Sequence, residues 1–417
     1  MRDAQASPPV HAVAHVADVT KPAIVVAGLS ARMLAESAQR AGWRAIALDL
    51  FGDSDTRRAS EHWQPVGDPA ALMLDPVRTR AALEHARRLS GVMGWIAGSG
   101  FEACPELLHT GIERLPLIGN ARHAYDAVRF PEHFFALLEK NGIAFPETRM
   151  DRPRDTSGWL RKDARGTGGW HIRLADAPDA PARDDRADVY YQRLCAGHSM
   201  SALFLADGHR AAVLGISEQI VTPHGAHPFA WRGAIGPAPV PPTLAAQVHH
   251  AVQSIVAASG LAGLNSLDFL SDGERCIVLE VNARPPATMA LYDHDPLAPL
   301  LALHVRACRG EPLEALEHMA APQAARHTQP VRGHLVVFAQ TSHTVTPAFE
   351  ARAQRLGWCH DIPAAGSTIA AGTPLCTVSA ACAPGTSAHA VRAEVCARAA
   401  AIENLLEVSH ERSLAHR

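Results

Sequence analysis

Short apolar runs separated by amphipathic segments make up the first part of the chain. Four of these runs have the length and branched residues of buried strands, and they lie at 23–29, 44–50, 92–98 and 115–120. A helical pattern over 30–41 connects the first two runs, and this βαβ order favours a parallel sheet. We therefore predict a Rossmann-like α/β domain over 21–121. Its first turn, AGLSAR, lacks the G-x-G-x-x-G fingerprint of dinucleotide binding.

The middle of the chain has a different pattern, in which strand-like runs follow one another with little helix between them. Five such runs lie within 159–221: WLRK, WHIRL, VYYQRL, MSALFLA and AAVLGI. This order is typical of antiparallel α+β structure. Helices are predicted at 124–140, 243–260 and 297–309, and a β-hairpin at 264–281. In the first helix, Pro131 would take an early helical position or cause a bend.

The remaining segments are predicted to connect or complete these regions. Residues 1–20 lack the apolar centre of a signal peptide and are predicted to form a disordered tail. Residues 313–330 include a Pro- and Ala-rich stretch and are predicted to form a linker. Residues 331–417 have two strand patterns and a final helical pattern, which predict a small C-terminal α/β domain. The central domain is then 122–312.

The predicted hairpin ends in an unusual set of polar side chains. In the run LEVNARP, Glu280, Asn282 and Arg284 are two residues apart each time, so on a strand they point to the same face. A carboxylate, an amide and a guanidinium lose hydration when they are buried. Their alignment therefore indicates that a ligand, an ion or water meets this face.

The length of the hairpin loop decides whether a second carboxylate lies on the same face of the hairpin as Glu280, Asn282 and Arg284. A loop of three or five residues places Asp268 opposite Val278, on the face of Glu280, whereas a two-residue Asp-Gly turn separates the two acids. We predict the longer loop, because it groups the apolar residues on the other face: Leu267, Phe269, Ile277, Leu279 and Val281. Two carboxylates and the Asn282 amide suit magnesium. The alternative is a solvated edge hairpin, in which such polar alternation is common.

A glycine-rich segment, RKDARGTGGWHIR, lies between two of the predicted strands. It contains Lys162 and then Gly166, Thr167, Gly168 and Gly169. Glycines allow the backbone to approach a phosphate closely, and lysine adds a compact positive charge. The flanking strands predict a hairpin lid, not the strand-to-helix loop of G-x-x-x-x-G-K-[ST]. The alternative is an ordinary turn, but a phosphate loop and a metal site in one chain together favour nucleotide binding.

Composition excludes several classes of function. The net charge of −3 and the absence of a basic stripe predict no nucleic-acid partner. No apolar run reaches the roughly 18 to 20 residues of a membrane span, so we predict no membrane partner. The eight cysteines form no C-x-x-C pair, which is typical of reduced thiols and predicts a cytoplasmic location. Only three lysines occur among 39 Lys and Arg residues, and Lys162 is the one in a glycine-rich segment.

In chain order, these motifs resemble the ATP-grasp superfamily over nearly the whole chain. The resemblance implies a Rossmann-like preceding domain, an ATP-grasp fold of two α+β subdomains, and a small C-terminal domain similar to that of biotin carboxylase relatives. It implies ATP and magnesium or manganese as cofactors. The implied metal ligands are Asp268, Glu280 and Asn282, and the implied catalytic residue is Arg284. The implied ATP-binding residues are Arg129, Lys162, Gly166, Thr167, Gly168, Gly169, Gln192, Arg193 and Leu194.

Two positions depart from the usual ATP-grasp pattern. Arg129 occupies the position of a second lysine, which keeps the charge and changes its geometry. Gln192 occupies a position at which the hinge between the subdomains often has glutamate. By the resemblance, Gln192, Arg193 and Leu194 bracket the adenine, and the Gln192 amide oxygen can accept from the adenine amino group.

The resemblance extends to a subgroup of the superfamily. The segments VAGLSAR, ALDLFGDSDT, GSGFE, WRGAIGP and NARPPATM resemble the subgroup that contains tyramine–glutamate ligase of methanofuran biosynthesis and proteins of tetrahydromethanopterin-linked one-carbon metabolism. It implies a carboxylate–amine ligase that acts on small molecules through an acylphosphate, with Glu218, Gln219 and Arg232 at the substrate; a homodimer is compatible with it. The alternatives are a biotin-carboxylase-like carboxylating enzyme and a nucleotide-binding scaffold without turnover.

Overall fold

The computed structural model describes residues 21–109, 111–177, 188–317 and 329–415. The predicted tail and most of the predicted linker lie outside these ranges. The described chain contains a parallel sheet of four strands, antiparallel sheets of four and eight strands, and two sheets of two strands each, with helices on the faces of the larger sheets. The predicted fold class, α/β followed by α+β, is confirmed. None of the described helices has the length and apolar character needed to cross a membrane.

The first sheet is parallel, with the strand order β3-β2-β1-β6. The elements of this region are β1 (Ala23–Ala27), α1 (Arg32–Arg40), β2 (Arg44–Asp49), α2 (Ser54–Arg58), β3 (His62–Pro65), β4 (Gly67–Asp68), β5 (Met73–Leu74), α3 (Pro76–Ala86), β6 (Val92–Ala97) and 3-10 turns at Phe101–Ala103 and Pro105–His109. The predicted strand at 115–120 is wrong, because only Leu117 forms a bridge, with Trp95. In open α/β sheets ligands bind beyond the carboxyl ends of the strands, and the loops after β1, β2 and β6 do line a cleft there.

The predicted helix at 124–140 is interrupted. It consists of α4 (Arg122–Arg129) and α5 (Pro131–Lys140). Phe130 is extended, with φ −78° and ψ 119°, as the residue before a proline prefers. Pro131 then starts α5 at a position where the missing N–H costs no helical hydrogen bond.

The second sheet is antiparallel, with the strand order β7-β10-β8-β9. Its strands are β7 (Thr148–Arg149), β8 (Trp159–Asp163), β9 (Arg173–Leu174) and β10 (Val189–Arg193). The predicted strand WHIRL is therefore reduced to its last residues, because the rest belongs to the glycine-rich loop between β8 and β9.

The third sheet has eight strands in the order β15-β14-β11-β12-β13-β16-β20-β18. Its region comprises β11 (His198–Asp207), β12 (Ala211–Val221), β13 (Trp231–Gly236), α6 (Pro242–Ser259), β14 (Ala262–Ser271), β15 (Cys276–Asn282), a 3-10 turn at Ala287–Leu291, α7 (Leu300–Cys308), α8 (Leu313–Glu317), β16 (Val331–Phe338), β17 (His343–Thr344), α9 (Pro347–Ala353), β18 (Cys359–His360), β19 (Thr368–Ile369), β20 (Pro374–Cys382) and α10 (Ala388–Ala415). β13 pairs with β16, so the C-terminal strands extend the central sheet without a break. The division into domains stays a prediction.

Alternate residues of the third sheet pack on opposite faces. On β11, Phe204 packs in the apolar cluster of α6, whereas Leu203 packs in the cluster of α7 and α1. α6 ends at Gly260, whose left-handed conformation with φ 78° favours glycine. One face of the third sheet packs against α7, but α7 covers only part of it. The uncovered part carries polar side chains and forms the floor of the cleft.

Candidate functional site

A cleft of about 1660 Å³ extends along the third sheet, bounded by the second sheet and by loops of the first. Most of the residues expected at a nucleotide line it: Lys162, Gly166, Thr167, Gly168, Gly169, Gln192, Arg193, Leu194, Asp268, Glu280, Asn282 and Arg284. Arg129 lies beside the cleft, in a small cavity that Glu280 also lines. The fold thus brings together side chains from β8, β10, β14 and β15.

The register of the β14–β15 hairpin differs from the predicted one. Asp268 lies opposite Glu280, not opposite Val278, which pairs with Phe269. One residue, Leu279, is therefore inserted between the two pairs as a β-bulge. The bulge keeps Asp268 and Glu280 on one face, and both line the cleft.

The bulge also changes which residues of β15 are buried. Cys276 and Val278 belong to the apolar core, together with Val281. The prediction had Ile277 and Leu279 on that face, and it is wrong for both, since neither is fully buried. Leu279 instead lines the cleft, where it adds an apolar surface beside the carboxylates.

Asp268 is held by neighbours on the same face of the sheet. Ser201 Oγ donates to its Oδ1 at 2.7 Å, and Asn282 Nδ2 donates to its Oδ2 at 3.2 Å. Burial and the Glu280 carboxylate raise the pKa of Asp268 to about 6. A cation beside Asp268 would offset both the burial and the neighbouring carboxylate that disfavour its ionised form.

The donor set fits a small dication that prefers oxygen. Asp268 and Glu280 offer carboxylate oxygens, and Asn282 offers an amide oxygen that accepts from Arg284 Nη2 at 3.2 Å. Within the described ranges, no three His, Cys, Asp or Glu side chains are arranged to hold a metal ion. A metal at this hairpin would therefore complete its coordination with phosphate oxygens and water, as magnesium commonly does.

Lys162 lies on β8 at the opposite wall of the cleft and is 4% exposed. Its Nζ donates to Gln192 Oε1 at 2.7 Å, and Gln192 Nε2 donates to Thr148 Oγ1 at 3.1 Å. Burial lowers the pKa of Lys162, while the charges of Glu280 and Asp268 act in the opposite direction. The ammonium is thus held in position, and an anion in the cleft would stabilise its charge.

The residues of the predicted adenine hinge occupy different environments. Gln192 is buried, and its amide oxygen already accepts from Lys162, so an adenine amino group would have to share that acceptor. Arg193 is exposed, with its guanidinium 4.4 Å from the centre of the Trp159 ring. Leu194 is also exposed, at the mouth of the cleft. Adenine contact stays a prediction for all three.

The glycine-rich loop lies over the cleft. Gly169 has φ 75°, and a Cβ there would collide with the carbonyl oxygen of Phe229, so only glycine fits. Thr167 Oγ1 accepts from Arg284 Nη2 at 3.3 Å. The loop is therefore joined to the end of β15 across the cleft.

Arg129 lies at the end of α4, behind the carboxylates. Its Nη2 donates to the carbonyl oxygen of Gly166 at 2.6 Å, and its Nη1 is 3.9 Å from Glu280 Oε2. Burial acts to lower the pKa of Arg129, but Glu102 and Glu280 raise it above its usual value. Arg129 thus links the glycine-rich loop to Glu280.

Arg284 forms an ion pair between the hairpin and the first sheet. Its Nε donates to Glu102 Oε1 at 2.7 Å, and the backbone N–H of Gly100 donates to Glu102 Oε2 at 2.7 Å. The two side chains are 13% and 6% exposed. Burial acts to raise the pKa of Glu102, but Arg284 and Arg129 hold it below its usual value. Glu102 therefore fixes the guanidinium of Arg284 in the cleft.

Of the three residues expected at the substrate, only Gln219 lines the cleft. Glu218 is its neighbour on β12 and faces the other way, as alternation requires. Arg232 Nη2 donates to the carbonyl oxygen of Val336 at 3.1 Å, and its guanidinium lies 4.8 Å from the centre of the Phe338 ring. The structure thus places Glu218 and Arg232 outside the cleft lining, contrary to expectation.

Two residues of this site are absent from the sequence prediction. The sequence could have indicated Glu102, because GSGFE follows β6 at the carboxyl end of a parallel strand, where ligands bind. The indication for Ser201 was weaker: it alternates with Ser199 on a strand whose interior is otherwise apolar.

A protein-family comparison agrees with this geometry. The model of the ATP-grasp domain matches residues 133–288, which include the glycine-rich loop, the paired carboxylates and Arg284. The chain therefore contains an ATP-grasp domain, as its motifs suggest. No curated protein matches the chain.

Solved structures share the fold over most of the chain. Carboxyaminoimidazole ribonucleotide synthase from Aspergillus clavatus, complexed with ATP, has a TM-score of 0.64 and 14% identity, and the match covers 93% of this chain and 100% of that one. The L-amino acid ligase from Bacillus licheniformis has a TM-score of 0.64 and 14% identity, with coverage of 90% and 96%. A biotin carboxylase–βγ-ATP complex from Campylobacter jejuni has a TM-score of 0.63 and 12% identity, with coverage of 88% for both chains. At these identities the similarity establishes the ATP-grasp fold, which confirms the predicted architecture.

Proposed function

We propose that this protein is an ATP-dependent ligase that joins a carboxylate to an amine and releases ADP and phosphate. The observation that carries the proposal is the convergence in one cleft of a buried lysine, a glycine-rich loop, two facing carboxylates and an arginine. These groups provide positive charge and amides for phosphates, and oxygen ligands for a dication. The ATP-grasp domain at 133–288 supports the same interpretation.

Each group has a defined task toward ATP. Lys162 and the amides of residues 166–169 hold the phosphates, Arg129 supports the glycine-rich loop from beside the cleft through Gly166, and Gln192, Arg193 and Leu194 border the adenine. Asp268, Glu280 and Asn282 hold magnesium or manganese. When bound, the dication would neutralise negative charge on the phosphates.

The reaction consists of two displacements. A carboxylate oxygen of the substrate attacks the γ-phosphorus of ATP, the bond to the β-phosphate oxygen breaks, and an acylphosphate and ADP form. The amine nitrogen then attacks the acyl carbon, phosphate leaves, and the nitrogen loses a proton to give the amide. Arg284 orients the carboxylate and stabilises the negative charge on its oxygen, because Glu102 holds the guanidinium in one position. Such catalysis depends mainly on positioning and electrostatics.

For the substrates we propose glutamate and an aromatic amine or amino acid, in the biosynthesis of a methanofuran-like one-carbon cofactor. The segments that resemble the tyramine–glutamate ligase subgroup support this choice. Trp170, Trp231 and Phe338 all line the cleft, and the rings of Trp170 and Phe338 are 5.7 Å apart. Aromatic walls favour a flat ring by stacking and edge contacts.

Release of ADP tests the function directly. We expect release over many turnovers only when a carboxylate and an amine are both present, with glutamate plus tyramine or tyrosine as the first pairs, and at most one equivalent of ADP per protein from the carboxylate alone. Coupled detection of ADP and mass spectrometry of the amide would measure it. ADP release with bicarbonate alone would favour the biotin-carboxylase-like alternative, and ATP binding without release across the screen would favour a scaffold.

Replacement of Lys162 by methionine is expected to weaken ATP binding by about tenfold or more, equivalent to about 1.4 kcal/mol or more. Methionine keeps the stem of the side chain and removes the charge that meets the phosphates. Calorimetric titration with a non-hydrolysable ATP analogue would measure the change. Lys140→Met is the matched control, because Lys140 is exposed at the end of α5. Equal affinity in both variants would refute the role of Lys162.

A further inference from the structure

The side chain of Thr167 connects the glycine-rich loop to Arg284. Its Oγ1 accepts from Arg284 Nη2 at 3.3 Å across the cleft. The task proposed for the loop, binding of the phosphates, uses its backbone amides and does not require this hydroxyl. The contact between the hydroxyl and Arg284 therefore indicates a second role for the loop.

The guanidinium of Arg284 is held by acceptors from three parts of the chain. Its Nε donates to Glu102 Oε1 at 2.7 Å, in the turn after β6. Its Nη2 donates to Asn282 Oδ1 at 3.2 Å, at the end of β15, and to Thr167 on the loop. Because these acceptors lie around two sides of the planar guanidinium, together they fix its orientation.

The remaining nitrogen of Arg284, Nη1, is available to a ligand. A guanidinium has five N–H donors, and the three on Nε and Nη2 are used by the contacts above. No described residue accepts from Nη1, and this atom is not among the side-chain atoms that are buried without a partner. Since Arg284 lines the cleft, Nη1 can donate to a substrate carboxylate there.

The backbone of the loop is anchored through its carbonyl groups. Arg129 Nη2 donates to the carbonyl oxygen of Gly166 at 2.6 Å, and the N–H of Trp231 donates to that of Gly168 at 2.9 Å. No described group accepts from the N–H groups of residues 167–169, which leaves them for phosphate oxygens. ATP bound there would add contacts to the same segment that carries the Thr167 hydroxyl.

Of the three acceptors around Arg284, only Thr167 lies on the segment whose amides would hold the phosphates. A ligand that orders this segment thus favours the orientation of Arg284 in which Nη1 meets a carboxylate. We propose that Thr167 is a positioning residue that couples ATP binding to binding of the substrate carboxylate through Arg284. Each ligand then raises the affinity for the other by the same factor. This inference rests on the proposed ligase function for the roles of ATP and the carboxylate.

The coupling can be measured at equilibrium, without turnover. The full chain is titrated calorimetrically with glutamate at a fixed magnesium concentration, with and without a non-hydrolysable ATP analogue. We expect the analogue to raise the affinity of the wild-type protein for glutamate by about fivefold to tenfold, at the low end of such couplings, because a 3.3 Å hydrogen bond is long. In Thr167→Val this factor should approach unity, since valine keeps the branched shape and the backbone N–H but lacks the hydroxyl.

Two further variants separate positioning from a structural effect. Thr167→Ser keeps the hydroxyl, so it should retain the wild-type coupling factor. Thr243→Val makes the same change at an exposed position at the start of α6 and should also retain it. In Thr167→Val the affinity for the ATP analogue alone should stay close to the wild-type value, because the amides of the loop remain.

Three results would overturn the inference. They are a wild-type coupling factor in Thr167→Val, glutamate binding to the wild-type protein that the analogue does not strengthen, and a large loss of affinity for the analogue alone in Thr167→Val. The last would show that the hydroxyl binds phosphate directly. In each case, ADP release by the wild-type protein with a carboxylate and an amine would leave the ligase proposal standing. Conversely, coupling that depends on Thr167 without ADP release would contradict only the ligase proposal.

Discussion

Replacement of Glu280 by glutamine is expected to lower ATP-dependent turnover by about a hundredfold or more. Glutamine keeps the shape of the side chain but removes the charge that, with Asp268, would hold a dication at the phosphates. The loss should affect kcat more than the KM for the amine, because the charge acts where negative charge develops. Steady-state kinetics with coupled ADP detection would measure both parameters.

The fold should survive this substitution. The Glu280 side chain is 30% exposed, and its contact with Arg129 at 3.9 Å is long for an ion pair. Arg129 keeps its hydrogen bond to Gly166. Glu274→Gln is the matched control, since Glu274 is exposed at the tip of the same hairpin. Turnover in Glu280→Gln equal to that of the control would rule out a metal-binding role.

Replacement of Arg284 by methionine is expected to reduce both stability and activity. Removal of the guanidinium leaves the buried carboxylate of Glu102 without its main partner, which costs about 3 to 5 kcal/mol in comparable buried pairs. The charge of Arg129 is also close to Glu102, so we expect the lower end of this range. Denaturant unfolding would measure the stability, and ADP release should fall by about a hundredfold.

A double variant separates the two effects. In Glu102→Gln combined with Arg284→Met, the unpaired charge is absent, so much of the lost stability should return while activity stays low. Arg275→Met is the control, because Arg275 pairs with Asp272 at the exposed tip of the hairpin and its loss should leave unfolding unchanged. Recovery of activity in the double variant would show that Arg284 acts only through stability.

The β14–β15 hairpin shows which features could be predicted from the sequence and which could not. Alternation along β14 and β15 put Asp268, Glu280 and Asn282 on one face, and the structure has this arrangement. The bulge at Leu279 was missed, because CIVLEVN begins with four consecutive apolar residues that fit either face, and it contains no glycine or proline to signal an extra residue. A bulge depends on which residues of the partner strand lie opposite, and that is not a local property.

The partners of the charged side chains were also missed. The prediction gave Gln192 a contact with adenine, which stays a prediction, and did not include the hydrogen bond that its amide oxygen accepts from Lys162. Glu102 and Arg284 are 182 residues apart in the chain, and no periodicity relates them. Such pairs depend on how the first sheet packs beside the hairpin.

By itself the sequence determined the parallel and antiparallel character of successive regions, most of the longer strands and helices, the glycine-rich loop and the common face of the acidic residues. These features follow from side-chain periodicity, turn residues and chain stiffness, which act over a few neighbouring positions. Only the tertiary structure decided the bulge, the pairing of Lys162 with Gln192, and the bridge between Arg284 and Glu102. These depend on distances between segments that are remote in the chain, and those distances are set by the packing of the three sheets around the cleft.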